Sequence, residues 1–270
     1  MEDWQMIRGW LLYERDDAKL NQSFIHMLQQ TARQKECELE LHLADELQIP
    51  FPLPDFVWNR TRNSKLAEHF YSLGVRTFNN PIVNAVANDK SKAQQFARSL
   101  NIPCIDTWTE PHADMPYPVV LKTRDGHGGK EVVLCATVTE LSEQLKALGT
   151  NTIIQPFIPS NNQDVRIWVL GKTILGAVKR TGKTFKSNYT LGGTIEKFDV
   201  PTDLAQFVEK LVDALHTDYI GIDFLVGADG QFYFNEIEDP VGARSFFDLY
   251  DDDLPTLLID YILEHQEQKR

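Results

Sequence analysis

The chain has 270 residues, 42% of them hydrophobic and 24% charged, which is typical of a globular protein with about two lobes or domains. Its formal net charge of −12 repels polyanions and so excludes nucleic acid as the main partner. The three dispersed cysteines have no CxxC spacing and indicate neither a disulfide framework nor a zinc site. We find no signal-peptide pattern and no run of ~18 apolar residues, so we expect a cytoplasmic protein without a membrane partner.

The first part of the chain alternates between strand-like and helix-like patterns. One helix, with apolar residues on one face, is predicted from about Asp17 to Gln34. A second helix is predicted over Ser64–Leu73 and is closed by Gly74. The predicted strands are Gly9–Tyr13, Glu38–Leu43, Asp55–Trp58 and Val75–Phe78. This alternation predicts an α/β domain with a parallel, doubly wound sheet.

The rest of the chain is rich in strands and reads as α+β. Helices are predicted from Asp89, over Thr139–Leu148, over Asp203–Leu215 and over Leu254–Glu264. The predicted strands are Tyr117–Lys122, Val132–Cys135, Thr152–Gln155, Val165–Leu170, Ile174–Lys179, Tyr219–Val226 and Gln231–Ile237. The last two are joined by a glycine-containing turn and therefore predict a hairpin.

A glycine-rich loop with Gly126, Gly128 and Gly129 lies between two predicted strands, with Lys122 and Lys130 at its ends. Glycines let backbone N–H groups approach an oxyanion, and the lysines add positive charge, so the loop is suited to cover the phosphates of a nucleotide. A mobile hairpin without a ligand is the alternative interpretation.

An acidic set stands on the predicted C-terminal hairpin. Glu236 and Glu238 share one face of a strand by alternation, and Asp223 in the preceding strand can point the same way. Three converging carboxylates favour Mg²⁺ held together with phosphates. The alternative is a solvated polar face on an edge hairpin.

A second hairpin concentrates basic residues in an acidic chain, and these are Arg166, Lys179, Arg180, Lys183 and Lys186. Their positive charge indicates a pocket for phosphates or for a carboxylate substrate. A solvated charged face is the alternative.

Seven motifs in order resemble the RimK-type branch of the ATP-grasp superfamily, whose members are peptide-bond-forming ligases that append amino acids such as glutamate to a carboxylate. The motifs are Asn88-Asp-Lys90, Pro118-Val-Val-Leu-Lys122 with the glycine loop, Ile154-Gln-Pro-Phe-Ile158, Asp164-Val-Arg166, Phe185-Lys-Ser-Asn188, Gly221-Ile-Asp223 and Asn235-Glu-Ile-Glu238. The resemblance implies an ATP-grasp fold in which residues 1–82 form an α/β pre-ATP-grasp domain. Residues 83–152 would form a central lobe with the glycine-rich loop, and residues 153–270 a C-terminal lobe with the Mg²⁺ and ATP site.

The resemblance also implies roles for single residues. Those expected to hold ATP are Lys90, Lys122, Gly128, Gln155, Pro156, Phe157, Ile158, Asp164, Lys186, Ser187 and Asn188. Within this set, Lys90 and Lys122 would contact the phosphates, Gln155 to Ile158 would form the adenine-binding hinge, and Asp164 would reach the ribose. The last three residues of the set would line the triphosphate and metal region. Asp223, Glu236 and Glu238 hold Mg²⁺, with two ions expected and Mn²⁺ as a substitute.

Catalysis is expected to depend on charge stabilisation by Arg180 at the acyl phosphate, together with Lys122, while Arg244 grips a carboxylate of a substrate. Two positions depart from the family pattern: Glu238 stands where asparagine is usual, and Pro156 where an acidic residue is common.

The predicted function is an ATP-dependent carboxylate–amine ligase acting through an acyl phosphate. The expected partners are an amino acid and a small-molecule, peptide or carrier-protein carboxylate, and a homo-oligomer is compatible with the sequence. The alternatives are a non-catalytic ATP-binding sensor with the same fold and a phosphotransferase that stops after transferring phosphate.

Overall fold

The computed structural model describes residues 6–48, 52–129, 131–183 and 193–266. The helices in these ranges are α1 (Arg15–Leu20), α2 (Gln22–Gln34), α3 (Ser64–Ser72), α4 (Pro81–Ala87), α5 (Lys90–Ser99), α6 (Val138–Leu148), α7 (Thr202–Leu215), α8 (Arg244–Leu249) and α9 (Leu254–His265). The strands are β1 (Ile7–Tyr13), β2 (Cys37–Leu43), β3 (Phe56–Asn59), β4 (Arg76–Phe78), β5 (Val119–Thr123), β6 (Val132–Cys135), β7 (Thr152–Pro156), β8 (Gln163–Leu170), β9 (Thr173–Thr181), β10 (Thr194–Lys197), β11 (Tyr219–Val226) and β12 (Phe232–Glu238).

The N-terminal strands form a four-stranded parallel sheet in the order β2-β1-β3-β4, as the alternating pattern predicts. Its two faces bury alternate residues of the same strands, with Leu11 and Trp58 on the side of α2 and α9, and Trp10 and Val57 on the side of α3. The single helix predicted between β1 and β2 is divided into α1 and α2 at Asn21, whose side chain donates to Asp17 O at 2.7 Å. The backbone N–H of Asn21 donates to the same carbonyl at 3.0 Å, so the division follows instead from the backbone angles of Asn21, φ −110° and ψ 16°, which lie outside the helical range.

A three-stranded antiparallel sheet, in the order β6-β5-β7, is covered by α6. Its small core includes Val119, Leu121, Leu141 and Ile154. The sequence division assigns residues from 153 onward to the C-terminal lobe, whereas β7 pairs with β5 in this central sheet.

A five-stranded antiparallel sheet, in the order β10-β9-β8-β11-β12, forms the largest layer of the described chain. One face packs on the helices α4, α5 and α7, and the other face carries Trp168, Val178 and Tyr219 toward α8 and α9. The elements α4, α8 and β10 are additions to the sequence prediction. None of the helices in the described part of the chain combines the length and the apolar character needed to cross a bilayer.

Candidate active site

A cleft opens between the three-stranded and the five-stranded sheets. It encloses about 1020 Å³, including space open to solvent. Its polar wall comes from both sheets and from the start of α5, whereas one end is lined by apolar side chains, namely Ile105, Val120, Val132, Phe157, Ile158 and Leu225. The apolar end is suited to a flat ring system, and the polar end to charged groups.

The glycine-rich loop between β5 and β6 forms one edge of this cleft. Gly128 and Gly129 have φ values of +68° and +70°, which favour glycine because a side chain is strained there. A Cβ on Gly126 would lie 2.0 Å from Thr123 Oγ1, so this position also requires glycine. Lys90 Nζ donates a hydrogen bond to Gly126 O and ties the loop to α5. Lys130 lies outside the described residues.

Two lysines face the polar end of the cleft from different elements. Lys90 is the first residue of α5, after the N-cap Asp89, and its Nζ lies 3.5 Å from Glu236 Oε2. Lys122 on β5 donates to Asn235 Oδ1 at 3.1 Å. Burial lowers the pKa of Lys122 to about 8, although the nearby Glu236 opposes this change.

The three predicted carboxylates converge in the cleft. Asp223, Glu236 and Glu238 each offer an oxygen, and these atoms all lie within 4.8 Å of one another. Asp223 pairs with Glu236 across the hairpin, but the next pair is Phe224 with Phe234, so Asn235 is an extra residue on β12. This β-bulge reverses the alternation, because it lets Phe234 face the helical core while Glu236 and Glu238 face the cleft.

Two arginines neutralise part of this acidic group. Arg166 on β8 donates to both oxygens of Asp223, at 2.8 and 2.7 Å, and also contacts Glu238. Arg180 on β9 donates to Asp164 at 2.6 and 2.7 Å and to Asp223 Oδ2 at 2.7 Å. Burial would raise the pKa of Asp223, but the two arginines outweigh it and hold this pKa at about 2.

Glu238 differs from Asp223 in its electrostatic surroundings. Burial, together with the charges of Asp223 and Glu236, raises the pKa of Glu238 to about 7 in spite of Arg166. A divalent cation would relieve this repulsion, and hard carboxylate oxygens are the ligands that Mg²⁺ prefers. Glu236 and Glu238 fit such an ion directly, whereas both oxygens of Asp223 already accept hydrogen bonds from arginines.

The hinge segment lines the apolar end of the cleft. Gln155 is 2% exposed, and its Nε2 donates to Thr107 Oγ1 at 2.9 Å. Its Oε1 is buried and has no hydrogen-bond partner in the described ranges, so it can accept from the amino group of a purine. The backbone N–H of Phe157 donates to Pro118 O, and Pro156 has no N–H, so these two positions offer carbonyls to a ligand.

A second cavity continues from the polar end of the cleft toward the N-terminal sheet. The residues that line both spaces are Lys90, Gly126, His127, Gly128, Arg166, Arg180, Glu236 and Glu238. Beyond this junction, the cavity is bordered by Arg60 and Arg62, which follow β3, and by Arg244 at the start of α8.

The structure therefore brings most of the predicted residues to one cleft. All of the predicted ATP and metal residues that are described line it, and Arg244 borders the second cavity. Lys186, Ser187 and Asn188 lie outside the described residues. The structure adds Asn235, which holds Lys122, and the paired role of Arg166, which the alternation of Asp164 and Arg166 in β8 could have indicated.

Comparison with known proteins gives a consistent result. The sequence model of the RimK-like ATP-grasp domain matches residues 83–262. The chain is 26% identical over 266 residues to an uncharacterised Mycoplasma pneumoniae protein, the MG011 homolog, covering 96% of this chain and 93% of that protein. It is 28% identical over 213 residues to human N-acetylaspartylglutamate synthase A, covering 72% of this chain and 54% of that protein.

Solved structures share the whole architecture. A RimK domain ATP-grasp protein from Sphaerobacter thermophilus has a TM-score of 0.72 and 19% identity, covering 95% of this chain and 99% of that one. The ATP-grasp ligase PsnB, complexed with a phosphomimetic variant of its minimal precursor, Mg and ADP, has a TM-score of 0.70 and 13% identity, covering 97% and 99%. These likenesses confirm the fold that the sequence resemblance implies.

Proposed function

The chain belongs to the RimK-like ATP-grasp family, and from this membership we propose that it is an ATP-dependent carboxylate–amine ligase. It would join an amino acid to a peptide, small-molecule or carrier-protein carboxylate. The observation that carries the proposal is the cleft in which two lysines and three carboxylates meet at one end and a hinge with a free buried acceptor lies at the other.

Different residues of the cleft would bind different parts of ATP. Gln155 Oε1 and the apolar wall would take adenine, while Lys90, Lys122 and the backbone of Gly128 would meet the phosphates. The family uses ATP with Mg²⁺, and Mg²⁺, or Mn²⁺ in its place, would neutralise phosphate charge when held by Glu236 and Glu238, with Asp223 beside them. Asp164 accepts two hydrogen bonds from Arg180, which would orient this arginine, and Asp164 would border the ribose.

The proposed reaction has two balanced steps. A carboxylate oxygen of the acceptor attacks the γ phosphorus of ATP, and the bond from this phosphorus to the bridging oxygen breaks, which leaves an acyl phosphate and ADP. The amine nitrogen then attacks the carbonyl carbon, the C–O bond to phosphate breaks, and phosphate and a proton leave. Arg180 and Arg166 line the junction of the two cavities, where they can stabilise charge on the transferred group.

The relatives support a peptide or amino-acid substrate. One relative is named for the synthesis of N-acetylaspartylglutamate, and PsnB was solved with a peptide precursor. In this chain, the second cavity offers space beside the phosphate end of the cleft, where an acceptor carboxylate can reach the transferred phosphoryl group.

The test is ADP release from Mg-ATP over a panel of amino acids combined with small carboxylates and peptides, with mass spectrometry of the products. Mn²⁺ replaces Mg²⁺ in a parallel series. We expect ADP release that requires both a carboxylate and an amine and that yields a new amide. Glu236→Gln should lower kcat/KM by about 100-fold or more, because the metal ion that neutralises the phosphates loses a carboxylate ligand.

The matched control is Glu143→Gln, the same change at an exposed position of α6, which should keep wild-type turnover. ADP release without any amine would favour the phosphotransferase, and binding of Mg-ATP without turnover of any pair would favour the sensor. Either result would reject the ligase.

A further inference from the structure

A buried arginine in the second cavity donates no hydrogen bond to a carboxylate of the described residues. Arg60 is 4% exposed, its Nε donates to Tyr13 Oη at 3.1 Å, and its Nη2 donates to Val241 O at 2.8 Å. Within the described part of the chain it forms no ion pair, and its Nη1 has no hydrogen-bond partner. The residue lines the cavity, so this unused donor group is available to a ligand.

Burial opposes the charge of Arg60, but Tyr13, Tyr219 and Asp239 outweigh it and raise the pKa of this arginine above its ordinary value. Its guanidinium carbon lies 5.5–5.9 Å from the centres of four aromatic rings, which belong to Tyr13, Phe24, Trp58 and Tyr219. Cation–π contacts stabilise such a charge, and the guanidinium stays protonated, so its Nη1 can donate a charge-assisted hydrogen bond. An anionic ligand is therefore the partner that this donor group favours.

The position of Arg60 in the sheet is one where ligands commonly bind. Tyr13 is the last residue of β1, and Arg60 comes directly after β3, the strand that lies next to β1 in the parallel sheet. The strand β2 lies on one side of β1, and the chain then crosses to place β3 on the other side. The strand order therefore reverses between β1 and β3. The crevice outside the carboxyl ends of strands at such a switch point is the usual ligand site of open α/β sheets.

Arg244 approaches the same cavity from the C-terminal side. It is exposed, and among the described residues its side chain donates only to Leu20 O, from Nη2 at 3.4 Å. Arg60 donates from the N-terminal sheet to Val241 O, while Arg244 donates to Leu20 O, and both residues line the second cavity. By contrast, Arg62 in this cavity is already paired with Asp17 at 2.6 Å.

We propose that Arg60 and Arg244 form an anion subsite that binds a second carboxylate of the acceptor, separate from the carboxylate that reacts. This inference rests on the proposed ligase function. The reacting carboxylate lies at the junction with the ATP cleft, beside Lys90 and Arg180, and the second one lies toward the N-terminal sheet. The acceptor is therefore a dicarboxylate or a peptide ending in an acidic residue, because guanidinium forks match carboxylates.

The experiment compares substrate pairs that differ in one carboxylate. Glutarate is tested against its monoamide, and glycyl-glutamate against glycyl-glutamine, with Mg-ATP and the amine found above. We expect the second carboxylate to raise kcat/KM about 10- to 100-fold, the range of a charge-assisted hydrogen bond. In Arg60→Met and in Arg244→Met this preference should fall toward one, while Arg33→Met, an exposed change on α2, should keep it.

A second measurement separates this inference from the ligase proposal. Calorimetry measures binding of each probe to protein saturated with Mg²⁺ and a non-hydrolysable ATP analogue. Tight binding of the dicarboxylates that is lost in Arg244→Met would support the subsite even if no pair were turned over. Turnover with equal kcat/KM for acid and amide would leave the ligase standing and overturn the subsite. Because Arg244 is exposed, its variant is informative even if the buried Arg60→Met fails to fold.

Discussion

At the scale of single residues, the buried Lys122 has a lowered pKa that affects the stability of the protein. Burial brings its pKa to about 8, below the value of ~10.4 in an unfolded chain. The folded, ligand-free protein thus binds fewer protons than the unfolded chain between about pH 8 and 10.4, so this residue contributes rising stability as the pH increases through that window. In the proposed function this ammonium group would bind the phosphates of ATP, and its burial costs stability.

This pKa predicts a pH dependence of ATP affinity. Below about pH 8 the lysine is protonated and attracts phosphate, and above it the free protein loses this charge, so the Kd for ATP should rise by up to about tenfold per pH unit. Calorimetry from pH 7 to 9.5 measures it. Lys122→Met should bind ATP weakly over the whole range, and the same steep rise in this variant would assign the titration to another group.

At the scale of elements, the hairpin of β11 and β12 depends on one extra residue. With Asn235 bulged, Phe224 and Phe234 pack in the core opposite each other while Asp223 and Glu236 point into the cleft. In a regular strand Phe234 and Glu236 would share a face, since side chains alternate with a period of two. The bulge therefore keeps Phe234 in the core while Glu236 and Glu238 stay on the cleft side of β12.

Deleting Asn235 should abolish this separation. Either Phe234 would leave the core or the two glutamates would turn into it, so we expect a loss of several kcal/mol in the free energy of unfolding and no binding of Mg-ATP. Asn235→Ala keeps the residue count and should fold with only a small change in stability. Denaturant unfolding and calorimetry give both quantities. A deletion variant with wild-type stability and ATP affinity would contradict the assignment of the bulge.

At the scale of the whole molecule, three asparagines connect the N-terminal region to the strand that carries the carboxylates. Asn79 and Asn84 donate to the side chain of Asp239, at 3.0 and 2.9 Å, and Asn88 donates to its backbone carbonyl at 2.8 Å. Asn84 also donates to Thr61 O, beside Arg60. Burial raises the pKa of Asp239 to about 6 against these hydrogen bonds. The network thus fixes the residue next to Glu238 relative to the N-terminal sheet.

Asn84→Ala should therefore change the KM of the acceptor more than the affinity for ATP. Loss of two buried hydrogen bonds is expected to cost about 1–3 kcal/mol of unfolding free energy and to raise the KM of the acceptor, with little change in ATP affinity. Asn63→Ala, which removes the N-cap of α3, should cost about 1 kcal/mol but leave the acceptor KM unchanged. If both variants shift the acceptor KM equally, the network has no specific role in placing the acceptor.

The sequence by itself determined the features that depend on local order. Alternation placed Glu236 and Glu238 on one face, periodicity placed α7 and α9, and the succession of motifs from Asn88 to Glu238 indicated the family. These signals can be read because each arises from residues within a few positions of one another. The division of the helix at Asn21 and the short helix α4 escaped prediction, since the backbone angles of one residue decide the first and the Asn80 cap decides the second.

Only the tertiary structure decided which charges meet. Arg60 contacts Val241, 181 positions later, and Arg166 meets Asp223 only because β8 and β11 are neighbours in register. Two sequences with the same local patterns could pair these groups differently, because ion pairs depend on distance in space and on burial. The bulge at Asn235, the arginine pairs around Asp223 and the cavity beside Arg60 therefore follow from packing between strands far apart in the chain.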